Sequence, residues 1–214
     1  MIFSIIIPAH NAENRLRKAL ESIKSQTFTD YELIVICDAC DDDTEVVARE
    51  YTDITHNINA HNDGVARSEG LEYAQGEYVM FMDDDDWWLH PYVLESIYKR
   101  IWMYNEYEAY KNNFKPIDIL CCGFIFGEEY GVQSPWQITK EGRGLWANVW
   151  SKVWRREFIG DTRFPNVHSV SDFEFCKLCE KKNPVYRFYD APIYYYNYMR
   201  PGSITETDSR EGKE

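Results

Sequence analysis

The sequence predicts an α/β fold, a mostly parallel sheet flanked by helices. Three observations predict it. Short, continuous apolar runs such as "FSIIIP" and "YELIVIC" have the character of strands covered on both faces. Segments with helical spacing separate these runs, and alternation of strand and helix implies a parallel sheet with right-handed crossovers. At 214 residues and 44% hydrophobic side chains, the chain is long enough to bury a substantial core.

The elements follow in order. "FSIIIP" is the first strand. Asn11 then offers a helix cap, and Leu16, Ala19, Leu20 and Ile23 recur at helical spacing. "YELIVIC" is the second strand and ends in the acidic loop "DACDDDTE", which leads into a short helix around residues 44–51. "DITHNI" is a weaker third strand, "DGVARSEGLEYAQG" a helix closing on Gly76, and "EYVMFM" the fourth strand. A long helix follows "LHPY", with Leu94, Ile97, Tyr98 and Ile101 on one face. "IDILCCGFIF" and "VYRFYDAPIYYYNYM" read as strands, 145–160 and 172–182 as helices, and 128–144 as loop. Nothing cuts the chain in two. The reading is a single domain over 1–214, with halves at 1–110 and 111–205 and a polar, flexible tail at 206–214.

Composition narrows the function. A net charge of −13 argues against nonspecific binding to nucleic acid or anionic membranes, unless Arg143, Lys152, Arg155 and Arg156 form one basic patch. The N-terminal apolar run is too short to span a bilayer and lacks a basic start, so a soluble, cytoplasmic protein without a transmembrane segment is expected. Cys37 and Cys40 form one C-x-x-C and Cys176 and Cys179 another. A shared zinc site is the minor reading, and buried reduced thiols the major one.

Ligands of such sheets sit beyond the carboxyl ends of the strands. Pro8–Asn11, Asp38 and Asp83–Asp86 should therefore converge. The run "YVMFMDDDDWW" drives an apolar strand into four aspartates, and alternation along a strand end puts Asp83 and Asp85 on one face. Two carboxylates leave most of a hard cation's sphere to water and phosphate, which suits Mn²⁺ or Mg²⁺ held with a nucleotide. The alternative is a solvated acidic turn. Asp38 could accept the N3–H of uracil or cap the next helix, and Arg67 could answer phosphate charge or lie on the surface.

Five segments carry a resemblance. "SIIIPAHNAENRLRKALESIKSQTFTDYELIVICDACDDDT" is similar to an opening with "PxYN" and "SIxxQTxxxxEIIVVDDGSxDxT". "NDGVARSEGLEYAQGEYVMFMDDDDWW" is similar to "NxGxxxARNxGxxxAxGxYIxFLDxDDxW". "WSKVWRREFI", "SDFEF" and "YYYNYMRPGSIT" resemble "WxKLxRRxxI", "EDxxF" and "YYRxxxxSIT". On these motifs the chain resembles family 2 glycosyltransferases, inverting enzymes with the Rossmann-like GT-A fold.

The resemblance implies a metal-dependent transfer of sugar from a nucleotide-sugar, a UDP-sugar first, to a hydroxyl of a glycan or small acceptor. It makes residues 1–110 the nucleotide-sugar half and 111–205 the acceptor half. By position, Pro8, Ala9 and Asn11 form the first nucleotide-facing turn, and Asp38 holds the base. Asp83 and Asp85 are the D-x-D pair for Mn²⁺ or Mg²⁺, Asp84 touches at most the ribose, and Asp172 is the general base. His168, four residues before Asp172, could reach the metal or phosphate or be an exposed loop histidine. Arg67, Arg200 and Ser203 are candidates for the diphosphate, the last two with Thr205 as a lid. Trp87, Trp88, Trp146 and Trp150 are candidates for stacking on sugar or acceptor. The chain departs from the pattern at His10, Cys37, Ala39, Cys40 and Ser171, and the "GVARSEG" segment is two residues short. Three other readings remain: a nucleotidyltransferase, a glycosyltransferase acting on modified DNA bases or nucleotides, and a noncatalytic acidic metal- or partner-binding protein.

Overall fold

The computed structural model describes residues 1–108, 115–127, 131–133, 148–167, 170–198 and 200. Nine strands among them form one sheet, in the order β3-β2-β1-β4-β8-β6-β9-β5, with β7 paired to β6. The strands are β1 (Phe3–Ala9), β2 (Tyr31–Asp38), β3 (Ile54–Ile58), β4 (Tyr78–Phe81), β5 (Trp87–Trp88), β6 (Ile119–Phe126), β7 (Val132–Gln133), β8 (Lys152–Arg155) and β9 (Tyr186–Tyr196). The helices are α1 (Leu16–Lys24), α2 (Thr44–Arg49), α3 (Asp63–Tyr73), α4 (Val93–Trp102), α5 (Arg156–Ile159) and α6 (Ser171–Glu180). A π-helical turn, Met103–Glu108, extends α4.

The sheet is parallel from β3 through β4. It then turns mixed: β8 runs antiparallel to both β4 and β6, and β9 runs parallel to β6. Alternation along β1, β2 and β4 explains why these runs are apolar throughout. Ile5, Ile7, Leu33, Val35 and Met80 face the side covered by α1 and α4. Ile6, Ile34, Ile36, Val79 and Phe81 face the side holding Ala66 and Leu71 of α3 and Phe175 and Cys176 of α6.

Four local expectations are corrected. Residues 152–155 are a strand, because Val153 and Trp154 fill the slot between β4 and β6, where pairing overrides local helical spacing. Asn11 does not cap α1, which starts at Leu16; its φ is +45° and its Oδ1 accepts from the Asp41 amide at 2.8 Å. Helix α3 stops at Tyr73, short of Gly76. Gly76 instead lies against β1, where a Cβ would come within 2.5 Å of the Ser4 nitrogen. Tyr98 is exposed on α4, and Val93 joins the buried face in its place. The loop expected at 128–144 lies almost wholly outside the described residues.

Candidate active site

The carboxyl ends of β1, β2 and β4 open onto a cleft of about 450 Å³. Pro8, Ala9, Asp38, Arg67, Asp83, Asp84, Asp85, Asp172 and Arg200 all line it. Residues more than a hundred positions apart thus meet, as parallel topology dictates. Asn11 is not among the lining residues, and His168 and Ser203 lie outside the described ones, as do Trp146, Arg143 and Thr205.

The four consecutive aspartates have four different surroundings. Asp83 Oδ1 accepts from Arg67 Nη2 at 2.6 Å, while its backbone N–H donates to the Tyr194 hydroxyl at 3.0 Å. Asp84 is gripped on both oxygens by Arg15, at 2.7 and 2.9 Å, and accepts the His10 N–H at 3.2 Å. Asp85 pairs with Nε of Arg200. Asp86 is fully buried: it accepts the Tyr194 hydroxyl and the Asn197 amide, both at 2.7 Å. It therefore ties β9 to the β4 loop and is neither solvated nor a helix cap.

Arg67 is the hub. It is 4% exposed and reaches three carboxylates: Asp63, Asp83 and, at 3.3 Å, Asp172. Its two Nη atoms are thus engaged by protein carboxylates, and answering phosphate charge would require one of them to exchange partners. Burial works against the charge, but Asp172, Asp63 and Asp83 outweigh it and hold the guanidinium firmly protonated. Asp172 sits in the first turn of α6, where its Oδ2 accepts the Val149 amide at 3.1 Å. Burial pushes its carboxyl up, with Arg67 holding it back. Asp172 Oδ1 and Arg67 Nε are buried without a hydrogen-bond partner among the described residues.

Asp38 lines the cleft and already serves the backbone. Its carboxylate accepts three backbone N–H groups, from Ala60 and His61 on Oδ1 at 2.7 and 2.9 Å, and from Asn62 on Oδ2 at 2.6 Å. It does not cap α2. It shapes the loop that delivers Asn62, whose side chain caps α3 by accepting from Val65. Three of about four lone-pair sites are filled, which leaves room for one further donor from the cleft.

The cleft also fits a divalent cation. Asp63, Asp83, Asp85 and Asp172 share two guanidinium groups, those of Arg67 and Arg200, so negative charge is in formal excess. Burial, with the charges of Asp172 and Asp85, pushes the Asp83 carboxyl up to about 7 despite Arg67. Crowding of this kind is relieved by a cation, and an all-oxygen donor set suits Mg²⁺ or Mn²⁺. Among the described residues no group of three His, Cys, Asp or Glu side chains could hold an ion alone, so remaining ligands would come from water or a diphosphate.

Sequence reasoning missed Arg15, His61, Asn62, Asp63, Tyr196 and Asn197, which also line the cleft. Only the "ND" opening of α3 carried a signal, as a helix start. Of the tryptophans, Trp88 is buried in the core. Trp87 lies between Lys18 and Tyr195. Trp150 stacks on Tyr194 and Tyr196 and lines the cleft. The basic patch does not form among the described residues: Lys152 is buried on Asn148, Arg155 pairs with Asp118, and Arg156 donates to the Gly76 carbonyl. All six cysteines are free thiols, and burial pushes Cys176 and Cys179 up to about 12. Among the described residues no helix is long and apolar enough to cross a membrane.

Comparison with known proteins agrees with this geometry. Residues 4–107 match the model of glycosyl transferase family 2. The glycosyltransferase GlyA of Streptococcus pneumoniae is 35% identical over 134 residues, 59% of this chain and 19% of its own length. The chain spans 24% and 48% of two further curated relatives. S. aureus TarS 1–349, solved with UDP-GlcNAc, superposes with a TM-score of 0.79 at 22% identity, covering 97% of this chain and 61% of that one. Glucosyl-3-phosphoglycerate synthase of Mycobacterium tuberculosis, solved with Mn²⁺, UDP and phosphoglyceric acid, gives 0.63 at 16% identity, covering 97% and 73%. These structural likenesses establish the fold.

Proposed function

The chain belongs to glycosyl transferase family 2, and from that premise we propose that its cleft transfers a sugar from a UDP-sugar to an acceptor hydroxyl with inversion. The observation that carries this reading is the convergence of Asp38, Asp83–Asp85 and Asp172 on one cleft with an excess of negative charge. A donor supported by the β1 and β2 ends would lay its base by Pro8, Ala9 and the remaining acceptor site of Asp38. Asp83 and Asp85 would hold a divalent cation, Mn²⁺ or Mg²⁺, which when bound stabilises charge on the departing diphosphate. TarS and the synthase, both solved with uridine nucleotides, support UDP as the nucleotide.

Asp172 is the proposed general base. Burial raises its affinity for a proton, and the Val149 amide anchors its Oδ2. As the acceptor oxygen bonds to the anomeric carbon, its proton passes to Asp172. The bond from that carbon to the diphosphate oxygen breaks, and the electron pair leaves with the nucleotide. A positioned base contributes on the order of 10²–10⁴ in rate. Arg200, already on Asp85, is the cation best placed to move onto the diphosphate. Residues 1–110 form the donor half in this reading and 111–205 the acceptor half, with Trp150 and Tyr196 as the described aromatic wall between them. Free thiols throughout suit a cytoplasmic location.

Calorimetry with UDP and Mn²⁺, followed by a nucleotide-sugar turnover panel, tests the reading. Asp85→Ala is expected to abolish the Mn²⁺-dependent part of UDP binding and to lower turnover by about 10² or more. Unchanged binding and turnover in that variant would remove the metal assignment. No response of the wild type to any nucleotide would remove the donor.

A further inference from the structure

Arg67 Nη1 faces two carboxylates at once, and only one of them holds it. It hydrogen-bonds Oδ2 of Asp63, its partner one helical turn earlier on α3. From Oδ1 of Asp172 it stands 3.3 Å away, and that oxygen has no hydrogen-bond partner among the described residues. Nη2 is meanwhile committed to Asp83. The guanidinium is therefore stretched between a strong grip on Asp63 and a loose approach to Asp172.

Asp63 is itself firmly placed. Its Oδ1 accepts the Gly64 amide at 2.8 Å, and the Ser171 hydroxyl lies 3.2 and 3.3 Å from its two oxygens. Gly64 makes that approach possible, since a Cβ there would come within 2.9 Å of Ser171 Cβ. Ser171 is buried, so the first turns of α3 and α6 are in direct contact at Gly64. In this chain position 171, directly before the proposed base, carries a hydroxyl, and the carboxylate beside Arg67 comes from α3 instead.

Resting on the proposed transferase reading, we infer that Asp63 is a positioning residue that keeps Arg67 off Asp172, so that the base stays free to take a proton. Without the Asp63 charge, Nη1 closes on Asp172 and forms a charge-assisted hydrogen bond. Such bonds are roughly twice as strong as neutral ones and favour the ionised, less basic carboxylate. Donor contacts at Asp38, Asp84 and Asp85 are untouched, because none of them bonds to Asp63 or Arg67, and Asp83 keeps its own bond to Arg67 Nη2. The inference thus separates chemistry from binding.

The test uses the full chain with Asp63→Asn, Ser171→Ala and Asp63→Glu. Asp63→Asn is expected to lower kcat by about 10–10² with donor KM within about threefold of wild type, the scale of a small misplacement at the reacting centre. Ser171→Ala, which keeps the charge, should hold kcat within about twofold. Asp63→Glu, which restores it, should recover most of the loss. A crystal structure of Asp63→Asn should show Arg67 Nη1 within hydrogen-bond distance of Asp172. Equal loss in Asp63→Asn and Ser171→Ala, a rise in KM alone, or an Arg67 that stays 3.3 Å from Asp172 would overturn the inference. An inactive wild type in which Arg67 still closes on Asp172 on Asp63→Asn would remove the transferase reading and leave the positioning intact.

Discussion

Two acidic runs follow two buried strands in this molecule, and their charges are answered in opposite ways. After β2, "DACDDD" answers its carboxylates mostly with backbone amides and hydroxyls. Asp38 takes three amides, and Asp42 accepts the amides of Glu13 and Thr44, at 3.1 and 3.0 Å, as well as the Thr44 hydroxyl. After β4, the first three aspartates of "DDDD" rely on guanidinium groups brought from the start of α1, from α3 and from the chain beyond β9. The electrostatic result differs in sign. Burial works to raise Asp42, but its hydroxyl and amide donors outweigh it and the carboxyl falls. Burial pushes Asp83, Asp84 and Asp86 up. Fixed amide dipoles cannot leave, so the first run keeps its protein partners and offers a ligand at most the remaining acceptor site of Asp38. Arginine side chains can move, so the second can exchange its partners for a ligand.

The largest test of that contrast is Arg67→Met. Removing one partner of a buried ion cluster leaves uncompensated charge, a loss of about 3–5 kcal/mol. Chemical denaturation should register that fall at neutral pH, where Asp63 and Asp172 are left without their shared cation. A loss below about 1 kcal/mol, the scale of an exposed ion pair, would mean that water, not Arg67, carries the charge of the second run.

Asp38→Asn probes the first run and should cost less. An amide offers one acceptor oxygen where the carboxylate offered two, and its NH₂ meets a backbone donor. At about 1.5–3 kcal/mol for a hydrogen bond to a charged group, a loss near 2 kcal/mol is expected. Hydrogen exchange should rise at Ala60, His61 and Asn62 and not at Asp83 or Asp84. Protection unchanged at those three amides would show that the loop holds its shape without Asp38.

What could be read in advance follows the same division. Strands β1, β2 and β4 were legible because both faces are buried, so their apolar runs carry the signal themselves. Asp38, Asp83 and Asp85 were legible because strand ends in a parallel sheet share one edge. Strand β8 was not: "KVWR" is apolar only at its centre, and its pairing partners β4 and β6 lie far away in sequence. Arg67 was seen but its carboxylate partners were not, because Asp83 and Asp172 come from a loop 16 residues on and a helix beyond β8. Arg15 gave no signal and Asp63 only that of a helix start, since a charge there looks like surface until tertiary contacts supply its partners.

The smallest effect is chemical, and it sets the thiols of the first run apart from the rest. Cys40 sits at the end of β2 with its sulfur 3.4 Å from the Ala9 carbonyl. The Cys37 thiol, then the Asn11 amide and the Thr44 hydroxyl, lower Cys40 to about 6 against the effect of burial. Burial raises Cys121 to about 11 and Cys176 and Cys179 to about 12. The thiolate is the nucleophile, so a depressed pKa keeps Cys40 reactive below the pH at which ordinary thiols respond. Alkylation by iodoacetamide, followed residue by residue by mass spectrometry, should be nearly level at Cys40 from pH 7 to 9 and fall about fivefold between pH 6 and 5. Cys121, Cys176 and Cys179 should stay unlabelled in the folded chain. A Cys40 rate that climbs tenfold per unit up to pH 9 would mean that the sulfur has no stabilised thiolate, and that the first run is electrostatically closed at its thiols as well as its carboxylates.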